Sequence, residues 1–190
     1  MDMTGEERIS AKREVVWRAL NSPPVLRKCI PNCESLEKKS PTEMVATVKF
    51  KIGPISSTFK GDVTLTELNP PESYTIVIDG TGGLAGSAKG KCEVKLVEEG
   101  DETILTYSAG AQMGGRLALL GSKMVDSSSK KLAAQFFKRF GKIAAKRGAR
   151  GANAVQAEGK GKGKGKGKGR GKGKGRNKNA EKPATDTGEA

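Results

Sequence analysis

The chain divides according to the period of its apolar positions. In residues 43–51, Met44, Ala46, Val48 and Phe50 take one side and Glu43, Lys49 and Lys51 the other. Residues 57–67 set Phe59, Gly61, Val63 and Leu65 opposite Lys60, Asp62 and Thr64, and 73–79 set Tyr74, Ile76 and Ile78 opposite Thr75 and Asp79. In 88–97, Ala88, Gly90, Cys92, Val94 and Leu96 face away from Lys89, Lys91, Glu93 and Lys95; in 103–113, Leu105, Tyr107, Ala109, Ala111 and Met113 align. Successive side chains of a strand point to opposite faces, so these runs predict a sheet with one buried and one wet face. Gly53-Pro54, Asn69-Pro70-Pro71, Gly80 to Gly86 and Glu99-Gly100-Asp101 separate the runs. Such short, turn-forming connections predict sequential antiparallel hairpins.

Helical spacing flanks the strands. In residues 12–20, Val16, Ala19 and Leu20 recur around Trp17; Ser22 then offers an N-cap for a second short helix with prolines in its first turn, before Pro31 and Asn32 break the chain. After Gly114-Gly115, the residues Leu117, Leu120, Met124, Leu132, Phe136, Phe140 and Ile143 fall on one stripe, whose eight-residue gap is filled by Ser128 within Ser127–Ser129. One long helix over 116–146 is predicted, and its apolar face can be buried only against the sheet.

Charge separates a domain from a tail. The 190 residues carry a net +14 from 35 Lys+Arg and 21 Asp+Glu. Residues 1–140 hold 20 basic and 17 acidic side chains (20 − 17 = +3), and residues 141–190 hold 15 and 4 (15 − 4 = +11). From Gly159 to Arg176 run nine Gly-Lys or Gly-Arg dipeptides, placing Lys160, Lys162, Lys164, Lys166, Lys168, Arg170, Lys172, Lys174 and Arg176 at every second position. Glycine alternating with like charge has no apolar surface to bury, so a disordered tail is expected over 147–190, after one domain over 1–146.

The chemistry available to that domain is narrow. The chain has no histidine, which removes Ser-His-Asp and Cys-His catalysis and imidazole metal ligation. Cys29, Cys33 and Cys92 form one C-x₃-C pair and a distant third thiol, short of a structural zinc set, so no metal is expected. An odd thiol count fits a reducing compartment, and MDMTGEERIS has no apolar core of a signal peptide, so a cytoplasmic protein is expected. No apolar run approaches the ~18–20 residues of a membrane span, leaving only peripheral membrane contact. The inferred inward faces hold no charged residue before the strand ends; Tyr74, Tyr107 and Ser127–Ser129 are their polar handles, with no base beside them. No catalytic residue is assigned. Two readings of the interior remain, a solid core and a cavity for an apolar molecule. Ala46, Gly61, Ala88, Gly90, Ala109 and Ala111, set opposite a helix with serines at its middle, leave volume for the second.

Several segments carry a family resemblance. The order strand, two short helices, antiparallel strands and long C-terminal helix resembles the helix-grip fold of the START/Bet v 1-like (SRPBCC) superfamily, an α+β curved antiparallel sheet wrapped around a long C-terminal helix. PNCESLE at 31–37, TVKFKIGPISSTFKGDVTLTELNPPESYTI at 47–76, GTGGLAGSAKG at 80–90 and QMGGRLALLGSKMVDSSSKKLAAQFFKRF at 112–140 look like the G-subunit (CoxG) family of carbon monoxide dehydrogenase. The resemblance covers residues 1–145. Asn32 stands where that family usually has glycine, and Ser22-Pro23-Pro24 replaces a typical Asp-Pro-Glu. The resemblance implies a non-catalytic accessory protein of a molybdenum hydroxylase-type oxidoreductase, helping to recruit it to the membrane. It also implies a hydrophobic quinone or lipid held between sheet and helix. Carried over by position, the cavity role falls on Phe50, Phe59, Tyr74, Ile76, Tyr107, Met113, Leu117, Leu120 and Met124, each of which also has a plain core reading.

The tail admits three readings: a solubilising segment, a tether to an anionic membrane surface, or a non-specific nucleic-acid contact. Residues 141–190 contain no aromatic residue on which bases could stack. Lys138, Arg139, Lys142, Lys146 and Arg147 beside Phe136, Phe137, Phe140 and Ile143 are compatible with an interfacial helix or with packing on the sheet. A helix-grip enzyme of cyclase or hydrolase type stays open as the catalytic alternative.

Overall fold

The structure, a computed structural model, describes residues 1–159, with side chains to Gly151. Seven strands form one fully antiparallel sheet: β1 Asp2–Ile9, β2 Cys33–Lys38, β3 Glu43–Ile52, β4 Ile55–Asn69, β5 Ser73–Thr81, β6 Ser87–Glu99 and β7 Glu102–Gly114. Three α-helices, α1 Arg13–Leu20, α2 Pro23–Cys29 and α3 Ser122–Gly159, complete it, with short 3-10 turns at Gly83–Ala85 and Gly115–Leu119. The strand order β1-β7-β6-β5-β4-β3-β2 puts two strands that are neighbours in sequence at opposite edges. The α1–α2 connection must therefore cross from one edge to the other. It closes one end of a curved sheet that grips α3, the helix-grip architecture.

All five expected strands form, and their inward faces are those given by the alternation. The Glu99-Gly100-Asp101 turn places Gly100 at φ +63°, a left-handed conformation that glycine adopts without strain. The prolines of α2 occupy its first turn, as expected, whereas the Ser22 side chain makes no capping hydrogen bond. Asn32, where the resemblance calls for glycine, sits at φ +55°, a left-handed position that asparagine tolerates better than most residues.

The helix boundaries differ from expectation at both ends. Residues 115–119 turn as 3-10 helix, Leu120 is extended, and α3 starts at Ser122 rather than 116. Apolar residues three apart satisfy both helix types, so the spacing of Leu117 and Leu120 does not separate them. At the other end α3 continues past 146 to Gly159, so 147–159, expected within the disordered tail, are helical. Ala144, Ala145, Ala149 and Ala152 are strong helix formers and favour this continuation. Residues 160–190, with Lys160 to Arg176, lie outside the described residues.

The main core fills the end beneath α1 and α2. Val16, Ala19, Val25, Cys29, Leu105, Phe140 and Ala144 are buried there, and Phe136, Phe137 and Ile143 pack against them. The apolar side of the basic segment 136–147 is therefore spent on packing, which removes the interfacial-helix reading. Thr103 Oγ1, fully buried, donates to the Ala11 carbonyl oxygen at 2.7 Å and pins β7 to the start of α1. A second, smaller cluster of Phe59, Ala85 and Leu117 lies at the opposite, loop end of the sheet.

Candidate functional site

Between the two clusters the sheet carries side chains too small to reach α3. The pairing register aligns Ala46, Gly61, Gly80 and Ala88 in a row across β3, β4, β5 and β6. Met44, Val63, Ile78, Gly90 and Ala111 form the next row. A Cβ on Gly61 would lie 3.2 Å from Gly80 Cα, so that row is held small by the backbone itself. Opposite stand Ser129, Leu132, Ala133, Phe136 and Phe137 of α3. The result is an apolar cavity of about 550 Å³ between sheet and helix, inside the ~300–1,000 Å³ range of small-molecule sites. Ile78 is a wall of this cavity and yet 41% exposed, so the chamber is open to solvent along part of its length. A smaller cleft of about 250 Å³ between β1 and α3 shares Met1, Met3 and Ser129 with it.

The structure brings together seven of the nine residues expected to surround a ligand. Phe50, Phe59, Tyr74, Ile76, Tyr107, Met113 and Leu117 all line the cavity. Leu120 does not; it packs behind the wall against the Phe59–Ala85–Leu117 cluster. Met124 does not either, because the later start of α3 turns it outward over Gly53, where it is 42% exposed. Sequence reasoning missed Met1, Met3 of β1, Leu20 and Leu26 of the short helices, and Leu36 of β2, which also line the cavity. The helical spacing of Leu20 and Leu26 was a usable signal for two of them.

Three polar groups gather on the sheet near the closed end. Tyr74, Val94 and Tyr107 share one row across β5, β6 and β7, and Cys92 lies one inward position away. Burial pushes the Tyr74 hydroxyl well above the usual phenol range, with a smaller push from Cys92. Burial likewise raises the Cys92 thiol to about 11, helped by the Glu93 carboxylate. The Tyr107 hydroxyl is raised by burial first, then by Glu7 and Cys92. All three are protonated at neutral pH and present O–H or S–H donors in an otherwise apolar chamber. Tyr107 stacks on Phe137 at 5.3 Å, and Tyr74 meets Trp17 edge-on at 5.2 Å, so both rings are held in place. Ser129 spends its hydroxyl on Met1 Sδ at 3.1 Å. All three cysteines are free thiols. Such an arrangement can receive an apolar body and donate hydrogen bonds to an acceptor at one end. Among the described residues, no His, Cys, Asp or Glu cluster suited to a metal is formed, and no helix is long and apolar enough to cross a membrane.

Comparison with known proteins agrees with this architecture. Residues 5–146, three quarters of the chain, match the family described as the G subunit of carbon monoxide dehydrogenase (CoxG). No curated protein matches. Among solved structures, a conserved protein from Geobacillus kaustophilus is 29% identical with a TM-score of 0.72, covering 77% of this chain and 96% of its own. A START superfamily protein from Mycobacterium smegmatis is 15% identical, with a TM-score of 0.54 and coverage of 78% and 97%. An aromatase/cyclase from Streptomyces sp. R1128 is 13% identical, with a TM-score of 0.56 and coverage of 77% and 94%. The last two likenesses show the fold alone. The chain belongs to the CoxG family of carbon monoxide dehydrogenase and has the START-like fold.

Proposed function

We propose that the protein is a non-catalytic accessory protein that holds a quinone or similar lipid in the sheet–helix cavity and supports a carbon monoxide dehydrogenase-type molybdenum oxidoreductase at the inner face of the membrane. The observation that carries the ligand half is the cavity itself: about 550 Å³ of apolar space bordered by Tyr74, Cys92 and Tyr107. A quinone offers the matching chemistry, carbonyl acceptors on a ring that continues into an apolar chain. The partner half rests on family membership. The catalytic alternative draws on the cyclase neighbour, but that likeness extends to the fold only.

Native mass spectrometry and solvent extraction of protein purified from its own host test the ligand claim. An isoprenoid quinone or lipid recovered in stoichiometric amount is the expected result. A cavity without any such molecule, together with no binding in a quinone titration, would sink it. Turnover abolished by Tyr74→Phe or Tyr107→Phe would favour the enzyme reading instead.

A further inference from the structure

The loop end of the cavity is built unlike the rest of the surface. The two 3-10 turns meet there, a Cβ on Gly115 lying 2.7 Å from Gly86 Cα, and the β3–β4 turn is covered by Met124. Leu84, on one turn, is 91% exposed and Leu119, on the other, 84%, the highest values among the described large apolar side chains; Val97, at the other end of β6, is 58% exposed and Met124, at the start of α3, 42%. Exposed leucines scattered singly are ordinary, but these two lie on adjoining turns at the end of the sheet where Phe59 and Leu117 line the cavity.

The charge around them is equally uneven. The turns that form this tip, 50–58, 81–87 and 114–125, contain Lys51, Arg116 and Lys123 and no acidic residue; Asp62, Asp79 and Asp126 lie just behind it. The rest of residues 1–140 holds 17 basic (20 − 3) and 17 acidic side chains, a net of zero. Lys51, Arg116 and Lys123 are exposed and enter no ion pair among the described residues. Apolar tips inside a ring of unpaired cations match a surface with anionic headgroups above an apolar layer.

We infer that the loop end docks on an anionic lipid bilayer, with Leu84 and Leu119 entering the acyl layer and Lys51, Arg116 and Lys123 at headgroup level. The cavity mouth then opens onto the phase in which an apolar ligand is dissolved. This inference rests on the membrane placement in the proposed function and assigns it to a named surface; it requires neither the bound ligand nor the tail contact. It is also distinct from the tail: α3 begins at the mouth with Ser122, and the point where residues 160–190 depart is about 57 Å away along its 38 residues.

The test uses the full chain with Leu84→Trp or Leu119→Trp, on vesicles of 70% phosphatidylcholine and 30% phosphatidylglycerol whose acyl chains carry bromine. The native Trp17 lies in α1 at the far end and gives the background signal. The expected result is a blue shift and quenching at both new tryptophans above the unaltered protein, weakened at least roughly thirtyfold in apparent affinity by adding Arg116→Glu and Lys123→Glu. Protein that floats with the vesicles while both new tryptophans keep solvent-like emission overturns the inference and leaves tail docking in place. Quenching confined to Trp17 reports lipid inside the cavity without immersion of the rim and also overturns it. Protein that does not float at all removes the rim and the tail contact together.

Discussion

A wall residue of an open cavity and a residue of a solid core should respond differently to truncation, and Ile78 and Phe140 form that contrast. Phe140 is completely buried and stacks on Phe136 at a centroid distance of 5.7 Å. Phe140→Ala leaves a closed void at the α1–α2 end, where such changes cost about 3–5 kcal/mol. Ile78 is 41% exposed. Ile78→Ala removes three carbons at ~0.8 kcal/mol each, about 2.4 kcal/mol for full burial and ~1.4 kcal/mol at the observed exposure. No void term is added, because the freed volume joins space that already exists. Urea unfolding followed by Trp17 fluorescence is a suitable assay, since Trp17 packs edge-on against Tyr74. For a domain of this size the Ile78 loss corresponds to a melting-point drop of about 3–6 °C. A ligand present at about 100 times its Kd adds ~2.7 kcal/mol to the native protein, and the Ile78 variant should recover less of it. If Ile78→Ala costs as much as Phe140→Ala, the space between sheet and helix is closed in solution and the cavity reasoning fails.

Other consequences follow from particular groups. With its thiol raised to about 11, Cys92 is about 0.1% thiolate at pH 8 against about a quarter for a free cysteine, so alkylation mapped by peptide mass spectrometry should be roughly 200-fold slower. Its rate should climb tenfold per pH unit toward pH 11, and a rate already at its plateau near pH 8 contradicts the burial argument. Because Cys92 and Tyr74 are both raised above their unfolded values, stability should be level at neutral pH and fall above about pH 9, as the unfolded chain ionises first; a melting point unchanged to pH 11 would count against this. Gly86→Ala puts a side chain at φ +112° against the Gly114 carbonyl oxygen, so a loss of about 1–3 kcal/mol and poorer retention of bound lipid in native mass spectra are expected. Truncation at Ala157 should lower flotation with anionic liposomes; equal flotation of both lengths would remove the tether reading of the tail.

Much of the cavity could be read from the chain, because period-two alternation over β3 to β7 fixes which side chains face inward. The edge strands were harder for identifiable reasons. In β1 the inward positions after Met3 are Gly5 and Glu7: the Tyr107 ring occupies the room a Cβ would take at Gly5, and Glu7 at the next is charged. In β2 a bulge between Cys33 and Ser35 interrupts the alternation within six residues. Leu120 and Met124 were misplaced by one cause, since a helix that starts at Ser122 instead of 116 rotates both away from the chamber. The polar trio was half visible. The tyrosines could be named from the alternation, but their grouping with Cys92 depends on cross-strand register, which a strand's own sequence does not determine.

The separation between the mouth and the tail bears on how the two proposed membrane contacts relate. They stand at opposite ends of α3, about 57 Å apart along its axis. A straight helix cannot bring both ends to one plane while the mouth faces that plane. The nine cations lie within the first 17 residues beyond Gly159 (176 − 159), a reach of at most about 58 Å at ~3.4 Å each, so the outermost of them can just return from the far end to the mouth's surface. Two contacts joined by a linker that can reach both reinforce each other through effective concentration, without any new interface. On this reading the tail, with nine cations at alternate positions, supplies salt-sensitive capture without fixing an orientation. The leucines of the rim supply orientation. A domain with 20 basic and 17 acidic side chains has use for such a division, because its own net charge is too small to hold it at a bilayer.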